Sequence, residues 1–176
     1  MGSPKALLRY RGETFLDRAI GLVGACCAPV IVVLGAAAGE IRAQAVRPAL
    51  FVVNPDYQSG QTSSMQAGLR AVPADSTGVL FTLVDHPAVA PETLDIILAG
   101  GGGAPLRIPR YRGRRGHPIW FAGSLIAEFM ALPAASSARE VVTRHAGEIA
   151  YIEVDDPGVV LDVDERADYQ RLVALP

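Results

Sequence analysis

The apolar positions of the chain follow two rhythms. Phe15, Leu16, Ala19, Ile20 and Val23 recur at the three- and four-residue spacing of one helix face. Thr14 stands where that helix needs an N-cap, and Asp17 falls in its first turn, next to the positive end of the dipole. The run Pro29-Val-Ile-Val-Val-Leu-Gly35 is apolar throughout instead of alternating, which predicts a strand over 30–34 buried on both faces. Ala49-Leu-Phe-Val-Val-Asn54 and Gly78-Val-Leu-Phe-Thr-Leu-Val-Asp85 read the same way. Helices are expected over 40–46, ending before Pro48; over 63–71, where Ser63 and Gln66 have capping-box spacing; and over 91–98, opened by Pro91 and closed by Gly100–Gly103. The second half predicts a polar loop over 105–116 with five arginines and a strand over 117–122. Helices over 125–132 and 138–145, strands over 149–154 and 159–164, and a closing helix over 166–174 complete the chain.

Strand and helix alternate, which predicts an α/β fold, doubly wound, with a mostly parallel sheet covered by helices on both faces. Neither an internal repeat nor a linker interrupts the 176 residues, so residues 1–176 read as a single domain. Sheets of this kind bind ligands beyond the carboxyl ends of their strands. Asn54, Asp85 and Asp164 stand at such ends.

Composition narrows the function classes. Half the residues are hydrophobic and 19% are charged, which makes the chain globular. A net charge of −2 points to neither nucleic acid nor a membrane surface as partner. Residues 19–39 carry no charge, but Gly21, Gly24, Pro29 and Gly35 break the run into helix, turn and strand, and it lacks the layout of a secretion signal. Cys26 and Cys27 are adjacent, a strained arrangement for a disulfide, and without metal-ligand spacing. They read as small buried hydrophobes in a reducing, cytoplasmic setting.

Local spacing leaves two readings open at most candidate positions. Asp85, followed by His86 and Pro87, either caps a turn or offers a carboxylate to Mg²⁺ at the sheet rim. Asp162 and Asp164 share one face of an extended segment, with Val163 opposite. Asp164 suits an N-cap of the last helix as well as a second metal ligand. Gly60 before Gln61-Thr-Ser-Ser64 either opens an ordinary helix or lets a ligand reach free N–H groups. Arg107, Arg110, Arg112, Arg114 and Arg115 form either a solvated loop or an anion-binding flap. Neither His86 nor His117 has a Ser or Cys partner in a nucleophile motif, so no hydrolase triad is expected.

In order, these segments resemble the MobA-like nucleotidyltransferases, especially the molybdenum-cofactor cytidylyltransferase branch. Met1-Gly-Ser-Pro-Lys-Ala-Leu-Leu8 resembles the end of that family's L-A-A-G-x-S-x-R-M-G-x-P-K-x-L-L signature, and Gly12-Glu-Thr-Phe-Leu16 its following G-x-T-x-L. Asn54-Pro-Asp-Tyr-Gln-Ser-Gly60 with Ser63 and Ser64 is similar to its N-x-x-x-x-x-G-x-x-x-S segment. Val84-Asp85-His86-Pro87 is similar to its D-x-P, Arg115-Gly-His-Pro118 to its G-H-P, and Leu161-Asp-Val-Asp-Glu-Arg-Ala-Asp-Tyr169 to its closing D-I-D-T-P-E-D-Y. The resemblance implies a Rossmann-like fold of the nucleotide-diphospho-sugar transferase kind, with the first strand and most of the glycine-rich loop falling ahead of Met1. Glu165 and Arg166 depart from the usual Thr-Pro. Of the G-D-x-G-A-R segment, only Ala138 and Arg139 remain.

The resemblance further implies Mg²⁺ held by Asp85 with Asp164 or Asp162, and Lys5 on the nucleotide phosphates. Asn54, Gly60, Ser63 and Ser64 would lie beside the nucleotide, and His117, Arg114 and Arg115 on the acceptor side. The implied reaction moves CMP from CTP to a phosphorylated acceptor such as molybdopterin and releases pyrophosphate. An impaired nucleotide- or cofactor-binding module is the alternative. A sheet edge left open by the absent strand would favour a homo-oligomer.

Overall fold

The computed structural model describes residues 4–133 and 135–174; Met1–Ser3 and Ala134, which carry part of the resemblance, lie outside the described residues. The first predicted helix is α1 (Phe15–Gly24). The Thr14 hydroxyl caps it, accepting the Asp17 N–H at 3.0 Å and donating to the Asp17 carboxylate at 2.7 Å. A short antiparallel hairpin precedes it, β1 (Arg9–Tyr10) and β2 (Glu13–Thr14). Two-residue strands carry no periodicity, so the sequence pattern does not show them.

β3 (Ile31–Leu34), α2 (Ala38–Gln44) and β4 (Leu50–Val53) follow, with β3 and β4 paired in parallel, but β4 is not buried on both faces: it is the edge of a two-stranded sheet, with Leu50 48% and Val53 55% exposed. The uncharged 19–39 stretch is thus helix, turn and strand. No helix among the described residues is long and apolar enough to cross a membrane. α3 (Gln61–Leu69) starts earlier than predicted, because its N-cap is Gly60, at φ 114°, where a side chain would be strained. The Ser63–Gln66 capping box does not form. The Gln66 amide turns inward and donates to the carbonyls of Phe129 at 3.1 Å and Leu132 at 2.8 Å.

β5 (Gly78–Phe81) ends four residues short of its predicted end, so Asp85 stands in the turn beyond the strand. α4 (Pro91–Ala99) matches its prediction. The expected arginine loop is instead β6 (Leu106–Tyr111) and β7 (Arg114–Arg115), an antiparallel hairpin. Alternation is present there, since Leu106 and Ile108 are buried. The arginines mask it by laying their planes on rings: Arg107 on Trp120 at 4.0 Å, Arg110 on Tyr151 at 5.3 Å. β8 (Ile119–Ala122), α5 (Ile126–Met130), α6 (Arg139–Arg144) and β9 (Ile149–Glu153) come next.

The predicted strand over 159–164 is not one. A 3-10 turn occupies Pro157–Val160, capped by the Asp156 carboxylate, which accepts the Gly158 N–H at 2.8 Å. α7 (Arg166–Val173) closes the described chain. Its cap is Glu165, in a reciprocal capping box with Asp168, which frees Asp164 from that role.

The α/β architecture is therefore observed, but the pairing is mixed, not mostly parallel: among the described residues only β3–β4 and β6–β9 are parallel, because the 105–116 segment predicted as a loop forms a hairpin that brings antiparallel strands into the main sheet. β5 and β6 both run antiparallel to β8, while β6 runs parallel to β9. One core cluster joins Met65 and Leu69 of α3 to Leu106, Phe121, Phe129 and Val141. A second joins Ala6, Leu16, Ile20, Leu34 and Ile41. A third joins Tyr10, Phe15, Val163 and Leu172, bringing the two ends of the chain together.

Asp17 holds α1 to the turn before β4. Only 3% exposed, it accepts the N–H groups of Val46 and Arg47, each at 3.0 Å. Burial pushes its pKa up, but the Thr14 hydroxyl, the Arg47 and Val46 amides and the Arg47 charge pull harder and leave it below the usual carboxylate value. A carboxyl depressed in this way stabilises the fold above its unfolded pKa and loses that contribution as pH falls through the folded value. Asp17→Asn is expected to cost about 1–3 kcal/mol at neutral pH. In urea titrations the difference from the parent should shrink below about pH 4.

Candidate active site

The site is assembled by an extended segment at the C-terminal side. The side chain of Val163 is fully buried, and its N–H donates to the Asp85 carbonyl at 3.0 Å. Asp162 and Asp164, on either side of it, are exposed. The expected alternation therefore holds without a strand ladder. Lys5 lies in a 3-10 turn, Lys5–Leu7, anchored by buried Ala6. Its ammonium meets the Asp164 carboxylate at 2.6 Å. Lys5, Asp85 and Asp164, far apart in sequence, are brought together.

The Asp85 carboxylate is largely shielded, with its side chain 21% exposed, and lies 2.9 Å from Nδ1 of His86. Burial pushes its pKa up; the hydrogen bond and charge of His86, then the charge of Lys5, outweigh this and leave it below the usual value. The carboxylate is thus ionised at neutral pH. The His117 ring lies 5.1 Å from the His86 ring and 6.0 Å from Phe81. Its Nδ1 is buried and has no hydrogen-bond partner among the described residues. Burial, then the charge of His86, brings its pKa down to about 4, against the opposing pull of Asp85 and the Phe81 carbonyl. His117 is a neutral imidazole with an unengaged ring nitrogen.

Asn54, Gly60, Ser63 and Ser64 form a second group. The Asn54 amide donates to both serine hydroxyls at 3.0 Å, and its carbonyl accepts the Asp56 N–H at 3.0 Å. The Ser63 hydroxyl lies within bonding distance of the Gly60 and Asp56 carbonyls. These residues lock the turn after β4 onto the N-terminus of α3, largely using up their own polar groups. Ser64 and Gln61 line the same cavity as Thr82, Leu83 and Val84, the residues leading to Asp85. Arg114 and Arg115 are exposed on β7, and the Arg115 guanidinium lies 4.9 Å from the Tyr151 ring centroid. The backbone leads from Arg115 through Gly116 to His117, whose N–H donates to the Val159 carbonyl at 2.9 Å.

Among the described residues no group of three or more His, Cys, Asp or Glu side chains is arranged to hold a metal. Asp85 and Asp164 supply two hard oxygen donors. That set fits a cation such as Mg²⁺, which completes its shell with substrate phosphates and water. His86, which the sequence reading did not place at the site, is the side chain that contacts the Asp85 carboxylate. Its adjacency to Asp85 is visible in the sequence, but a neighbouring side chain can point either way.

Comparison with known proteins identifies relatives of the whole chain. The chain is 33% identical, over 97% of its length and 88% of the relative's, to a protein named nicotine blue oxidoreductase from Paenarthrobacter nicotinovorans. It superposes on the Rv0371c homologue of Mycobacterium sp. strain JC1 with a TM-score of 0.85 and 29% identity, covering 99% of this chain and 88% of that one. It superposes on Mycobacterium tuberculosis Rv0371c, solved in complex with manganese, with a TM-score of 0.82 and 34% identity, covering 98% and 92%. A family model described as the MobA-like NTP transferase domain matches residues 1–149, and the chain belongs to that family.

Proposed function

We propose that the chain transfers CMP from CTP to a phosphorylated acceptor such as molybdopterin. An acceptor phosphate oxygen attacks the α-phosphorus, the bond from that phosphorus to the bridging oxygen of the β-phosphate breaks, and pyrophosphate leaves. The observation that carries the reading is the Lys5–Asp164 pair at 2.6 Å, with Val163, the residue before Asp164, bonded to the backbone of Asp85. The CTP and molybdopterin assignments rest on the motif resemblance.

No covalent nucleophile is needed, so the protein's work is alignment and charge compensation. Asp85 and Asp164, with Asp162 beside them, would hold Mg²⁺. When bound, the cation neutralises charge growing on the transferred phosphate. The solved manganese complex of the mycobacterial relative supports a divalent metal. Without ligand, Lys5 and Asp164 neutralise each other. A nucleotide–cation complex offers each a better partner, phosphate for the lysine and cation for the carboxylate. Asn54, Gly60, Ser63 and Ser64 would shape the wall beside the nucleotide. His117, Arg114 and Arg115 would face the acceptor.

A second reading is favoured by the relative named an oxidoreductase. In it, the nucleotide site holds a redox dinucleotide instead of a triphosphate. The two separate in one assay: pyrophosphate release from CTP in the presence of molybdopterin and Mg²⁺, against oxidation of a reduced nicotinamide nucleotide by an organic dye.

Asp85→Ala is expected to lower Mg²⁺-dependent pyrophosphate release at least about a hundredfold, and Lys5→Ala about tenfold or more. Failure of the parent to turn over any nucleoside triphosphate with any phosphorylated acceptor would sink the transferase reading. His117 should stay neutral from pH 8 to 5 in an NMR titration, with its midpoint at about 4. A midpoint above 6 would contradict a ring held neutral by burial.

A further inference from the structure

The two cysteines of the chain, Cys26 and Cys27, lie in the turn that follows α1. Their N–H groups both donate to the Val23 carbonyl, at 3.1 and 2.9 Å. The helix thus ends in a tight turn that carries both side chains to one side and leaves the sulfurs 3.7 Å apart. Both residues are half-buried, not the buried hydrophobes expected from the sequence, and their neighbours Gly24, Ala25, Ala28 and Pro29 are exposed. A pair of thiols with fixed spacing therefore faces the surface.

Two states of such a pair are disfavoured. A disulfide needs sulfurs about 2.05 Å apart and Cα atoms at least about 4.4 Å apart, whereas adjacent Cα atoms across a trans peptide are about 3.8 Å apart. A divalent cation binds thiolates and needs further ligands. Burial, then the charge of Cys27, its hydrogen bond and the charge of Asp95, push the Cys26 thiol up to about 12. Among the described residues no group of three or more His, Cys, Asp or Glu side chains completes a metal set around the pair. The pair is thus held as a neutral dithiol.

A neutral dithiol suits a thiophilic centre that completes its own valence, such as a monosubstituted trivalent arsenical, R–As(OH)2. Bonds of about 2.3 Å from one soft atom to two sulfurs, at angles of about 95–110°, hold those sulfurs about 3.4–3.8 Å apart. The observed 3.7 Å falls within that span. We propose that Cys26 and Cys27 form a chelating site for a monosubstituted trivalent arsenical. Two S–H bonds and two As–O bonds break, two As–S bonds form, and two molecules of water leave. Each thiol proton departs with a hydroxide, arsenic stays trivalent, and nothing is oxidised or reduced. The site shares no residue with the Lys5, Asp85 and Asp164 group, and the inference is independent of the reaction catalysed.

Native mass spectrometry of the purified 176-residue chain with phenylarsine oxide tests it. One phenylarsenic group is expected per chain, retained in excess 2-mercaptoethanol and removed by 2,3-dimercaptopropanol, because only a dithiol matches a chelate. Cys26→Ser and Cys27→Ser should each bind at least about a hundredfold more weakly, since a chelate becomes a single bond. Unfolding the parent in urea keeps the thiols adjacent but removes the turn, so it should weaken binding about tenfold, with no substitution involved. Absence of an adduct, or an adduct displaced by the monothiol, overturns the proposal. So does a single-serine variant with the parent's affinity, or equal affinity in urea. A parent two hydrogens lighter than its thiol form that takes up no arsenic would show a disulfide in place of the dithiol, and would also overturn it.

Discussion

The hydrogen bond from the Val163 N–H to the Asp85 carbonyl ties together two chain segments that are far apart in sequence. Closing so long a loop costs conformational entropy, which a single bond does not offset. The buried side chain of Val163 supplies the rest, packed with Tyr10, Phe15 and Leu172. The same cluster draws the β1–β2 hairpin against α7, where the Tyr169 hydroxyl donates to the Arg9 carbonyl at 2.8 Å. Lys5 sits just before that hairpin and Asp164 just before that helix. Their meeting at 2.6 Å follows from an apolar cluster that contains neither.

Four carboxylates show how the fold separates structural from chemical roles. Asp17 accepts from two amides and a hydroxyl, and Asp156 accepts from Ala90, Gly158 and Thr93. Both are buried and fully engaged, and moving either would leave orphan donors. Asp164 has a 64% exposed side chain and one flexible partner. Exposed pairs of this kind contribute little to stability, so exchanging Lys5 for another cation disturbs nothing else. Asp85 lies between these extremes, shielded but engaged mainly by the neighbouring His86. A carboxylate kept ionised yet under-coordinated is suited to a ligand that arrives from outside.

The sequence made the α/β architecture legible because its signals are local. The unbroken apolar runs at 30–34 and 49–54, the Thr14 cap and Pro91 at the start of α4 act within a few residues. Misreadings arose where tertiary contacts override local chemistry. Gln66 has capping-box spacing yet serves three carbonyls at the end of α5. The arginines of β6 look like a solvated loop because a charged group on a ring face is indistinguishable, in sequence, from one in water. Asp164 read as a candidate cap of α7, but Glu165 takes that role, set by Asp168, whose carboxylate accepts the Glu165 N–H at 2.7 Å. At the site, the candidates emerged from motif order, while their grouping into a charged cluster and a separate locked turn depends on side-chain directions that no spacing encodes.

Val84 connects the apolar core to the charged cluster. It packs against the cluster of Leu16 and Leu34, and also packs against the cluster of Phe15 and Val163. The next residue is Asp85. Beyond Phe81 the chain has left the ladder, so residues 82–85 are held by side-chain packing, by bonds to His86 and by the backbone bond to Val163. The packing of Val84 in two clusters restricts the positions Asp85 can take. Positional restriction of this kind is what a site without a covalent nucleophile has to offer, since its rate depends on how well charge and reactants are held in place. Val84 is therefore the residue through which the packing of both clusters bears on the position of Asp85.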